Sequence, residues 1–429
     1  MSSADPAAAS ETAVEVSVVM PCLNEARTLA ACIREAQTAL AQAGLRGEIV
    51  IADNGSTDGS PAVARAAGAR LVAVDRRGYG YALQAGIAAA HGQFVVMGDA
   101  DGSYDFGDVG RFVAELRQGY DLVMGNRFKG GIRPGAMPWK NRYLGNPLLS
   151  AIGRLLFRSA SGDFHCGLRA FRKVAYETMA LRTGGMEFAS EMVIRATLLG
   201  LRIGEIPTIL RPDGRDRPPH LRPWRDGWRH LRFMLLFSPR WLFLYPGLGL
   251  MAVGALLGAR LLAGPLQLGT IVFDVHTLFF CACAVLIGFQ STLFAVLTKV
   301  YATESGVAPP DPVFAAGMKR ITLETGLCAG ALLMIAGLGL SLAALLHWQR
   351  HGFGSLAPTV VLRWVIPGGT LLALGCEVVL SSFFLSVLGM KLSRPCPAWR
   401  HWTRPAVRLS AIGVFGPWRP DWLRCICGS

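Results

Sequence analysis

The stretch of sequence that decides the fold is Phe94-Val95-Val96-Met97-Gly98-Asp99-Ala100-Asp101-Gly102-Ser103-Tyr104-Asp105. A short apolar run that ends at glycine is typical of a buried parallel strand. Asp99 and Asp101 follow this strand one residue apart, so their carboxylates repel each other and favour a bound divalent cation. Two acids in this position also suit a solvated turn or a helix cap, and only the neighbouring strands decide between these interpretations.

The chain around this stretch repeats one pattern of strand, polar stop and helix. Apolar strands, with helical patterns between them, are predicted at 14–20, 48–52, 70–74 and 94–98. This alternation indicates an α/β fold with a mostly parallel sheet. Polar segments at 21–25, 53–58 and 99–105 follow three of these strands. Because ligands bind beyond the carboxyl ends of parallel strands, the three segments are expected to line one site.

The composition indicates a membrane-embedded protein. Of the 429 residues, 52% are hydrophobic, and the mean hydropathy of +0.37 is high for a soluble chain. The formal net charge is +14, from 43 Lys and Arg against 29 Asp and Glu. Such a charge suits nucleic acid, anionic lipid or phosphorylated substrates. The hydropathy favours the last two, so no nucleic-acid partner is expected.

The N-terminal segment has neither a basic region nor an apolar core, which a signal peptide would need. Residues 1–13 are therefore expected to be a disordered tail, and the first folded domain, 14–210, is expected to stay in the cytosol. The ten cysteines show no zinc-binding spacing, so most are expected to be small buried hydrophobes.

A loop and an amphipathic segment follow the predicted sheet. The loop, 129–138, is rich in Gly and Pro and is either a mobile lid over the site or a long connection. Residues 211–240 are rich in arginine. Four of their apolar residues share one helical face: Trp224, Trp228, Leu231 and Leu235. This pattern predicts a helix in the membrane interface, although an amphipathic helix that covers the sheet would look similar.

Residues 241–392 are predicted to contain four transmembrane helices. Runs long and apolar enough to span a bilayer occur at 241–264, 271–298, 325–347 and 365–390. Positive charge is concentrated in the connector 299–324 and in the Trp/Arg-rich tail 393–429. This asymmetry places both on the side of the N-terminal domain. We therefore expect an integral protein of a bacterial-type plasma membrane, with the catalytic domain and both termini in the cytoplasm.

Four motifs, in this order, carry a resemblance to a known family. They are Val16-Ser-Val-Val-Met-Pro-Cys-Leu-Asn-Glu25, Ile51-Ala-Asp-Asn-Gly-Ser-Thr-Asp-Gly-Ser60, Gly98-Asp-Ala-Asp101 and Gly125-Asn-Arg-Phe128. Over 14–235 the chain resembles the inverting family 2 glycosyltransferases, and more narrowly the dolichol-phosphate mannose synthase and polyprenyl-phosphate glycosyltransferase group. The resemblance implies a GT-A (Rossmann-like) domain followed by an α-helical transmembrane domain.

The resemblance implies a site for a nucleotide-sugar, a UDP- or GDP-hexose. Its donor-binding residues would be Pro21, Leu23, Asn24, Glu25, Asp53, Asp99, Ala100, Arg211 and Arg217. The diphosphate would lie on Mg²⁺ or Mn²⁺ held by Asp99 and Asp101. Ser103 stands where the mannose synthases commonly carry Gln as a third metal ligand, and its shorter side chain leaves room for a water.

The implied acceptor is a polyprenyl phosphate, undecaprenyl or dolichyl, in the membrane. Arg127, Arg142 and Arg169 would hold the acceptor phosphate, and Asp163 would act as base or as an orienting acid. The catalytic set is then Asp101, Asp163, Arg127 and Arg169. The implied reaction transfers one hexose, glucose or mannose, with inversion.

Two other functions fit parts of the sequence. A processive polysaccharide synthase would share the donor domain, but its Gln-x-x-Arg-Trp pattern after the catalytic domain does not occur in this sequence. A non-catalytic carrier or flippase of lipid-linked glycans would use only the four helices. The nucleotide base, the sugar, the polyprenol and the oligomeric state, a homo-oligomer included, stay open.

Overall fold

The computed structural model describes residues 14–215, 223–304 and 311–389. Its N-terminal part is built on a seven-stranded sheet with the strand order β3-β2-β1-β4-β6-β5-β7. The strands are β1 (Val16–Cys22), β2 (Gly47–Asp53), β3 (Arg70–Ala73), β4 (Phe94–Met97), β5 (Leu122–Asn126), β6 (Arg169–Arg172) and β7 (Ile203–Pro207). The prediction of a mostly parallel α/β sheet is therefore confirmed.

One strand runs against the others and was not predicted. β6 lies between β4 and β5 and pairs with both in antiparallel register, with Val96 opposite Ala170. The sequence of β6 is Arg-Ala-Phe-Arg. With only two apolar residues it shows no strand periodicity, so its pairing comes from the tertiary structure. The strand carries Arg169 directly beneath the carboxyl end of β4, since Met97 is opposite Arg169.

Helices cover both faces of the sheet. In the N-terminal part they are α1 (Ala26–Gln42), α2 (Ser60–Ala66), α3 (Tyr79–Ala89), α4 (Val109–Arg117), α5 (Arg127–Gly130), α6 (Asn146–Phe157), α7 (Lys173–Met179), α8 (Phe188–Leu198) and α9 (Pro223–Leu236). Alternate residues of β1 enter different cores: Val18 packs with α1 and α4, and Val19 packs with α3 and α8. Burying each such side chain stabilises the fold by about 2 kcal/mol. Two cores therefore fix β1 and the loop after it.

The arginine-rich segment contains a helix, α9, that packs on the N-terminal part. Its buried face presents Asp226, His230 and Met234, spaced four residues apart, towards α6 and α8. Trp228 lies on the other side and is 59% exposed. The helix thus covers the domain with one face and leaves an apolar residue uncovered on the other. The side chain of Trp224 lies outside the described part of the chain.

Within the described residues, the C-terminal part contains four helices long and apolar enough to cross a membrane, which agrees with the predicted number. They are α10 (Tyr245–Leu262, preceded by a π-helical turn from Arg240), α11 (Val275–Glu304), α13 (Leu323–Arg350) and α14 (Pro358–Gly389). A short hairpin of β8 (Leu266–Leu268) and β9 (Ile271–Phe273) joins the first two, and α12 (Pro312–Met318) lies in the connector. α13 and α14 approach so closely that a Cβ on Gly337 would lie 2.7 Å from the carbonyl oxygen of Gly368.

The predicted tails, 1–13 and 393–429, lie outside the described residues. The loop 129–138 is tied to the domain, because Arg133 N donates to Leu210 O at 2.9 Å and Ile132 and Met137 pack against the core. This contact fits a connection in the present conformation and leaves a lid movement as a prediction.

Candidate active site

The first two polar segments are joined to each other at the carboxyl edge of the sheet. Asn24 has a left-handed backbone, with φ of 59°, and its Oδ1 accepts from Thr57 N at 2.7 Å. Its own N–H donates to Ser56 Oγ at 2.9 Å. Asp53 ends β2, is 8% exposed and accepts from Gly55 N and Ser56 N. The ends of β1 and β2, with Pro21 and Asp53, and the loop after β1, with Leu23 and Asn24, therefore form one wall of the site.

Asp99 and Asp101 lie at the end of β4, beside this wall. Thr28 Oγ1 donates to Ala100 O at 2.7 Å and so attaches α1 to the segment. Asp99 accepts from Tyr79 OH at 3.1 Å. Burial and the nearby charge of Asp101 raise the pKa of Asp99 to about 6, although Arg215 opposes the shift. A raised pKa is the expected result when two carboxylates share a site, and a cation would relieve it.

The Asp101 carboxylate is held by two partners. Oδ1 accepts from Ser103 N at 3.0 Å and from Ser103 Oγ at 2.6 Å, and Oδ2 lies 2.9 Å from Nη2 of Arg215. The Ser103 hydroxyl therefore acts on Asp101 in this structure and orients it. Gly167 comes close on the other side, since a Cβ there would lie 2.8 Å from Asp99 Oδ2. Both carboxylates are thus fixed by their neighbours.

The residues present fit a divalent ion that is shared with a substrate. Among the described residues no group of three or more His, Cys, Asp or Glu could hold a metal. Two carboxylates alone suit Mg²⁺ or Mn²⁺, because such ions take their remaining ligands from water and substrate phosphates. The guanidinium of Arg215 already lies on Asp101 and shows that the position attracts a cation.

The arginines after β7 lie over the acidic segment. Arg211 forms ion pairs with Glu35, at 2.9 Å, and with Asp105. Arg215 forms ion pairs with Glu25 and Asp101. Arg211 was predicted at the donor site, but the described arginine that reaches the Asp101 carboxylate is Arg215. Arg217 lies outside the described residues.

Arg127 and Asp163 form a buried ion pair at the carboxyl end of β5. Nε and Nη2 of Arg127 donate to the two carboxylate oxygens of Asp163, both at 2.7 Å, and the backbone N–H of Arg127 donates at 3.2 Å. The Arg127 side chain is 8% exposed and that of Asp163 is fully buried. Each residue thus neutralises the other. In this conformation Asp163 orients Arg127 and is not open to act as a base.

Glu205 lies on β7 and stabilises this pair, although it was not predicted as a site residue. Its Oε2 accepts from Asn126 Nδ2 and Lys129 Nζ, each at 3.0 Å. Its Oε1 accepts from Gly162 N and Ser161 Oγ. One carboxylate therefore joins the segments that present Arg127 and Asp163. Nothing in its local sequence, Gly-Glu-Ile-Pro, distinguishes Glu205 from an exposed strand residue.

Arg169 lies in the core and not on the surface of the site. It is fully buried, and its three nitrogens donate to the carbonyl oxygens of Cys166, Ala189 and Phe164. The guanidinium is thus used to hold the loop before β6. The expected contact with an acceptor phosphate has no exposed donor in this structure, because the whole Arg169 side chain is buried.

Arg142 lies nearer the surface, in a π-helical turn at Asn141–Gly145. Its guanidinium carbon is 5.3 Å from the ring centre of Tyr143. Large apolar residues around it are exposed, namely Trp139 (66%), Tyr143 (69%), Leu144 (59%) and Leu148 (53%). α6, which follows, packs against α9. Of the three arginines expected at the acceptor phosphate, Arg142 is half-buried and has exposed neighbours, whereas Arg127 and Arg169 are buried.

Both parts of the chain are similar to known proteins. Residues 17–179 match the family model described as glycosyl transferase family 2, and residues 296–389 match the one described as the glycosyltransferase family 2 C-terminal transmembrane region. The low-salt glycan biosynthesis hexosyltransferase Agl6 of Haloferax volcanii is 36% identical over 381 residues, which cover 89% of this chain and 90% of that protein.

Two further proteins are similar over shorter stretches. A dolichyl-phosphate hexose transferase of Haloferax volcanii is 32% identical over 162 residues, 38% of this chain and 69% of that protein. The crystal structure of glucosyl-3-phosphoglycerate synthase from Mycobacterium tuberculosis with Mn²⁺ and UDP-glucose is 26% identical, with a TM-score of 0.42. The match covers 53% of this chain and 80% of that one. At this TM-score the likeness supports no assignment of donor or metal here.

Proposed function

The chain belongs to glycosyltransferase family 2, and we propose that it transfers one hexose from a nucleotide-sugar to a polyprenyl phosphate in the membrane. The observation that carries the proposal is the pair of carboxylates Asp99 and Asp101 at one sheet edge, with Arg215 on Asp101, in a chain whose described residues include four helices able to cross a membrane. The transmembrane family model over 296–389 supports a membrane acceptor.

The donor would bind between the loops that follow β1, β2 and β4. Asp53 and the backbone around Leu23 offer acceptors and donors for the base and the ribose. Asp99 and Asp101 would hold Mg²⁺ or Mn²⁺, with Ser103 orienting Asp101. When bound, such an ion supplies positive charge against the leaving nucleoside diphosphate.

The acceptor phosphate would enter from the side of Arg127 and Arg142. Arg127 is held rigidly by Asp163, so its position is set before the substrate arrives. Arg142 lies among exposed aromatic residues that suit a lipid surface. Arg169 fixes the loop before β6, which also contains Asp163, and serves as a positioning residue.

The proposed reaction is a single displacement. An oxygen of the lipid phosphate attacks the anomeric carbon, a new C–O bond forms, and the bond from that carbon to the nucleoside diphosphate breaks with inversion. The attacking phosphate is already ionised at neutral pH, so no strong base is needed. This requirement agrees with the pairing of Asp163 to Arg127.

The names of two relatives support the choice of a hexose and a lipid phosphate. One is a glycan biosynthesis hexosyltransferase, similar along nearly the whole chain, and the other is a dolichyl-phosphate hexose transferase. We propose a plasma membrane location with the catalytic domain in the cytoplasm, because Lys319 and Arg320 in the connector and Arg225, Arg229 and Arg232 on α9 would then follow the positive-inside rule.

A transfer assay tests the proposal. Membranes that contain the chain are incubated with radiolabelled UDP- and GDP-hexoses and with undecaprenyl or dolichyl phosphate. We expect one donor and acceptor pair to give a lipid-soluble monoglycosyl product, which EDTA abolishes. Asp101→Asn should reduce the rate by about 100-fold or more. Arg111→Gln, which removes an exposed ion pair with Asp108, is the matched control and should keep the rate.

Other outcomes would contradict the proposal. A labelled polymer would identify a processive synthase. No transfer from any donor, with the chain folded in the membrane, would favour a non-catalytic carrier. Full activity in EDTA would remove the metal from the mechanism while leaving the transferase assignment.

A further inference from the structure

The Arg215 side chain lies between carboxylates of two different polar segments. Its Nε donates to Glu25 Oε1 at 2.8 Å, and its Nη2 lies 2.9 Å from Asp101 Oδ2. The three side chains are 16%, 5% and 9% exposed. Asp213 is a more distant partner at 3.8 Å. At such low exposure the charges are poorly screened by water, so the guanidinium is a strong local cation.

Backbone contacts hold Arg215 in this place. Gly214 N donates to Asp101 O at 2.9 Å, and Arg211 N donates to Ser103 O at 2.8 Å. The position of Gly214 is close to α1, since a Cβ on it would lie 2.7 Å from Thr28 Cγ2. The segment 211–215 therefore runs along 101–103 and aims Arg215 at Asp101.

Arg211 and Arg215 have separate roles in this segment. Arg211 binds Glu35 on α1 and Asp105, neither of which is expected to touch the metal. This pair can anchor the segment whether or not the donor is bound. Arg215 binds Asp101 and Glu25, which belong to the expected donor site. A divalent ion on Asp101 would lie next to the guanidinium, and two cations at that distance repel.

We propose that Arg215 is an internal counter-ion that competes with the divalent metal for Asp101 and is handed over to the donor diphosphate when the donor binds. The inference rests on the proposed function. Arg215 neutralises Asp101 and Glu25 in the resting enzyme. It leaves Asp101 as metal and nucleotide bind, and its guanidinium then faces the phosphates, for which a planar fork of donors is well suited. Arg211 keeps the segment attached during the exchange.

The exchange predicts opposite effects on two binding constants. Removing Arg215 removes a competitor for Asp101, so the purified full chain should bind Mn²⁺ alone more tightly, by about tenfold. The same variant loses a phosphate contact, so UDP or GDP, titrated at saturating Mn²⁺, should bind about tenfold more weakly. A residue with only a structural role would weaken both, since a disordered site binds neither ligand well.

The experiment measures Mn²⁺ binding by electron paramagnetic resonance and nucleotide binding by calorimetry, for the wild type, Arg215→Gln, Arg215→Lys and Arg111→Gln. Arg215→Lys keeps the charge and should lie between the wild type and Arg215→Gln. Arg111→Gln removes an exposed arginine that pairs with Asp108 outside this segment, so it is the control and should keep the wild-type Mn²⁺ affinity. Thermal unfolding of each variant without metal checks that it is folded.

The outcomes separate this inference from the proposed function. If Arg215→Gln binds Mn²⁺ as the wild type does, or more weakly, the competition is wrong although the transferase assignment stands. If Arg111→Gln tightens Mn²⁺ binding equally, the effect comes from the loss of positive charge in general and the role of Arg215 is overturned. Absence of Mn²⁺ binding in the wild type and in every variant would contradict the metal site itself, and hexose transfer in EDTA would confirm that result independently.

Discussion

At the scale of single residues, two buried arginines near the end of the sheet use their charge differently. Arg127 meets a carboxylate, Asp163, and the pair is neutral as a whole. Arg169 meets three carbonyl oxygens and keeps a net charge in the core. Burial therefore lowers the pKa of Arg169, and nearby groups such as Tyr79 oppose the shift. The first arrangement fixes the orientation of a side chain, and the second fixes a loop.

The Arg127–Asp163 pair gives a prediction about stability. Replacing one member, as in Asp163→Asn, leaves a buried charge without its partner, which costs about 3 kcal/mol or more. We expect the melting transition of the catalytic domain to fall by about 6 °C or more. Thermal unfolding followed by intrinsic fluorescence of the purified full chain measures this shift.

Two comparisons make this prediction specific. Arg111→Gln removes an exposed ion pair and should change the stability by less than about 1 kcal/mol. If Asp163→Asn melted like the wild type but lost transfer activity by about 100-fold or more, Asp163 would act in the chemistry, as a base does. The structural role assigned to the pair would then be wrong.

The sequence indicates which segments meet at the site better than it indicates which atoms meet. Asp53, Asp99 and Asp101 follow apolar strands, and strand order alone brings them to one edge. By contrast, Arg211 and Arg215 are four residues apart in one arginine-rich segment, and only the backbone path along 101–103 decides which one reaches Asp101. Glu205 shows the same limit, because its partners come from segments far away in the sequence.

At the scale of elements, α9 lies in the chain between the catalytic domain and the first membrane helix. A buried polar cluster joins α9 to the catalytic domain. His230 Nδ1 lies 2.8 Å from Ser190 Oγ on α8, and its ring is 4.6 Å from that of His165. His165 belongs to the same loop as Asp163. The carboxylates of Glu187 and Asp226 and the guanidinium of Arg169 also act on His230. The position of α9 is therefore coupled to the loop that holds Arg127.

This cluster predicts a loss of stability in acid. Burial lowers the pKa of His230 from the ordinary 6.5 to about 4, although Glu187 and Asp226 oppose the shift. The unfolded chain gains this proton near pH 6.5 and the folded chain only near pH 4, so acid favours unfolding between these values. At pH 5 the loss from this residue should be about 2 kcal/mol relative to pH 7.

Melting curves of the full chain at pH 7 and pH 5 measure the effect. His230→Gln should reduce the difference between the two pH values, whatever it does to the stability at pH 7. His91→Gln is the control, because His91 is 67% exposed and should keep the wild-type difference. An unchanged pH dependence in His230→Gln would mean that other groups cause the loss in acid.

Most helices and strands could be predicted from the sequence, and β6 is an exception that shows why some could not. Long apolar runs and the strand–helix alternation have strong periodicity, so the sheet and the four long helices follow from them. β6 has four residues, two of them arginines, and is a strand only because β4 and β5 lie on either side of it. The buried face of α9 could not be predicted from the sequence either, because it carries the polar residues Asp226 and His230.

At the scale of the whole molecule, ion pairs tie together both ends of the membrane helices. At one end Asp311 in the connector pairs with Arg240, at 3.1 Å, and with Lys299, at 3.5 Å. At the other end Asp274, before α11, pairs with Arg363 of α14 at 2.6 Å. Arg240 follows α9 closely in the chain, so the end with Asp311 is the one next to the catalytic domain.

These positions predict the sidedness of the loops. The connector between α11 and α13 should share a side with the catalytic domain, and the β8–β9 hairpin should lie across the membrane. We expect a site-specific protease added outside sealed, right-side-out vesicles to cut a recognition sequence inserted at Gly269 in the hairpin. The same sequence inserted between Glu304 and Asp311 should be cut only in inverted vesicles or after detergent is added.

Detergent-treated vesicles control for access in both insertions, and hexose transfer confirms that each chain is folded. Cleavage of the connector in intact right-side-out vesicles would reverse the topology and place the donor site away from the cytoplasmic nucleotide-sugars that the proposed reaction needs.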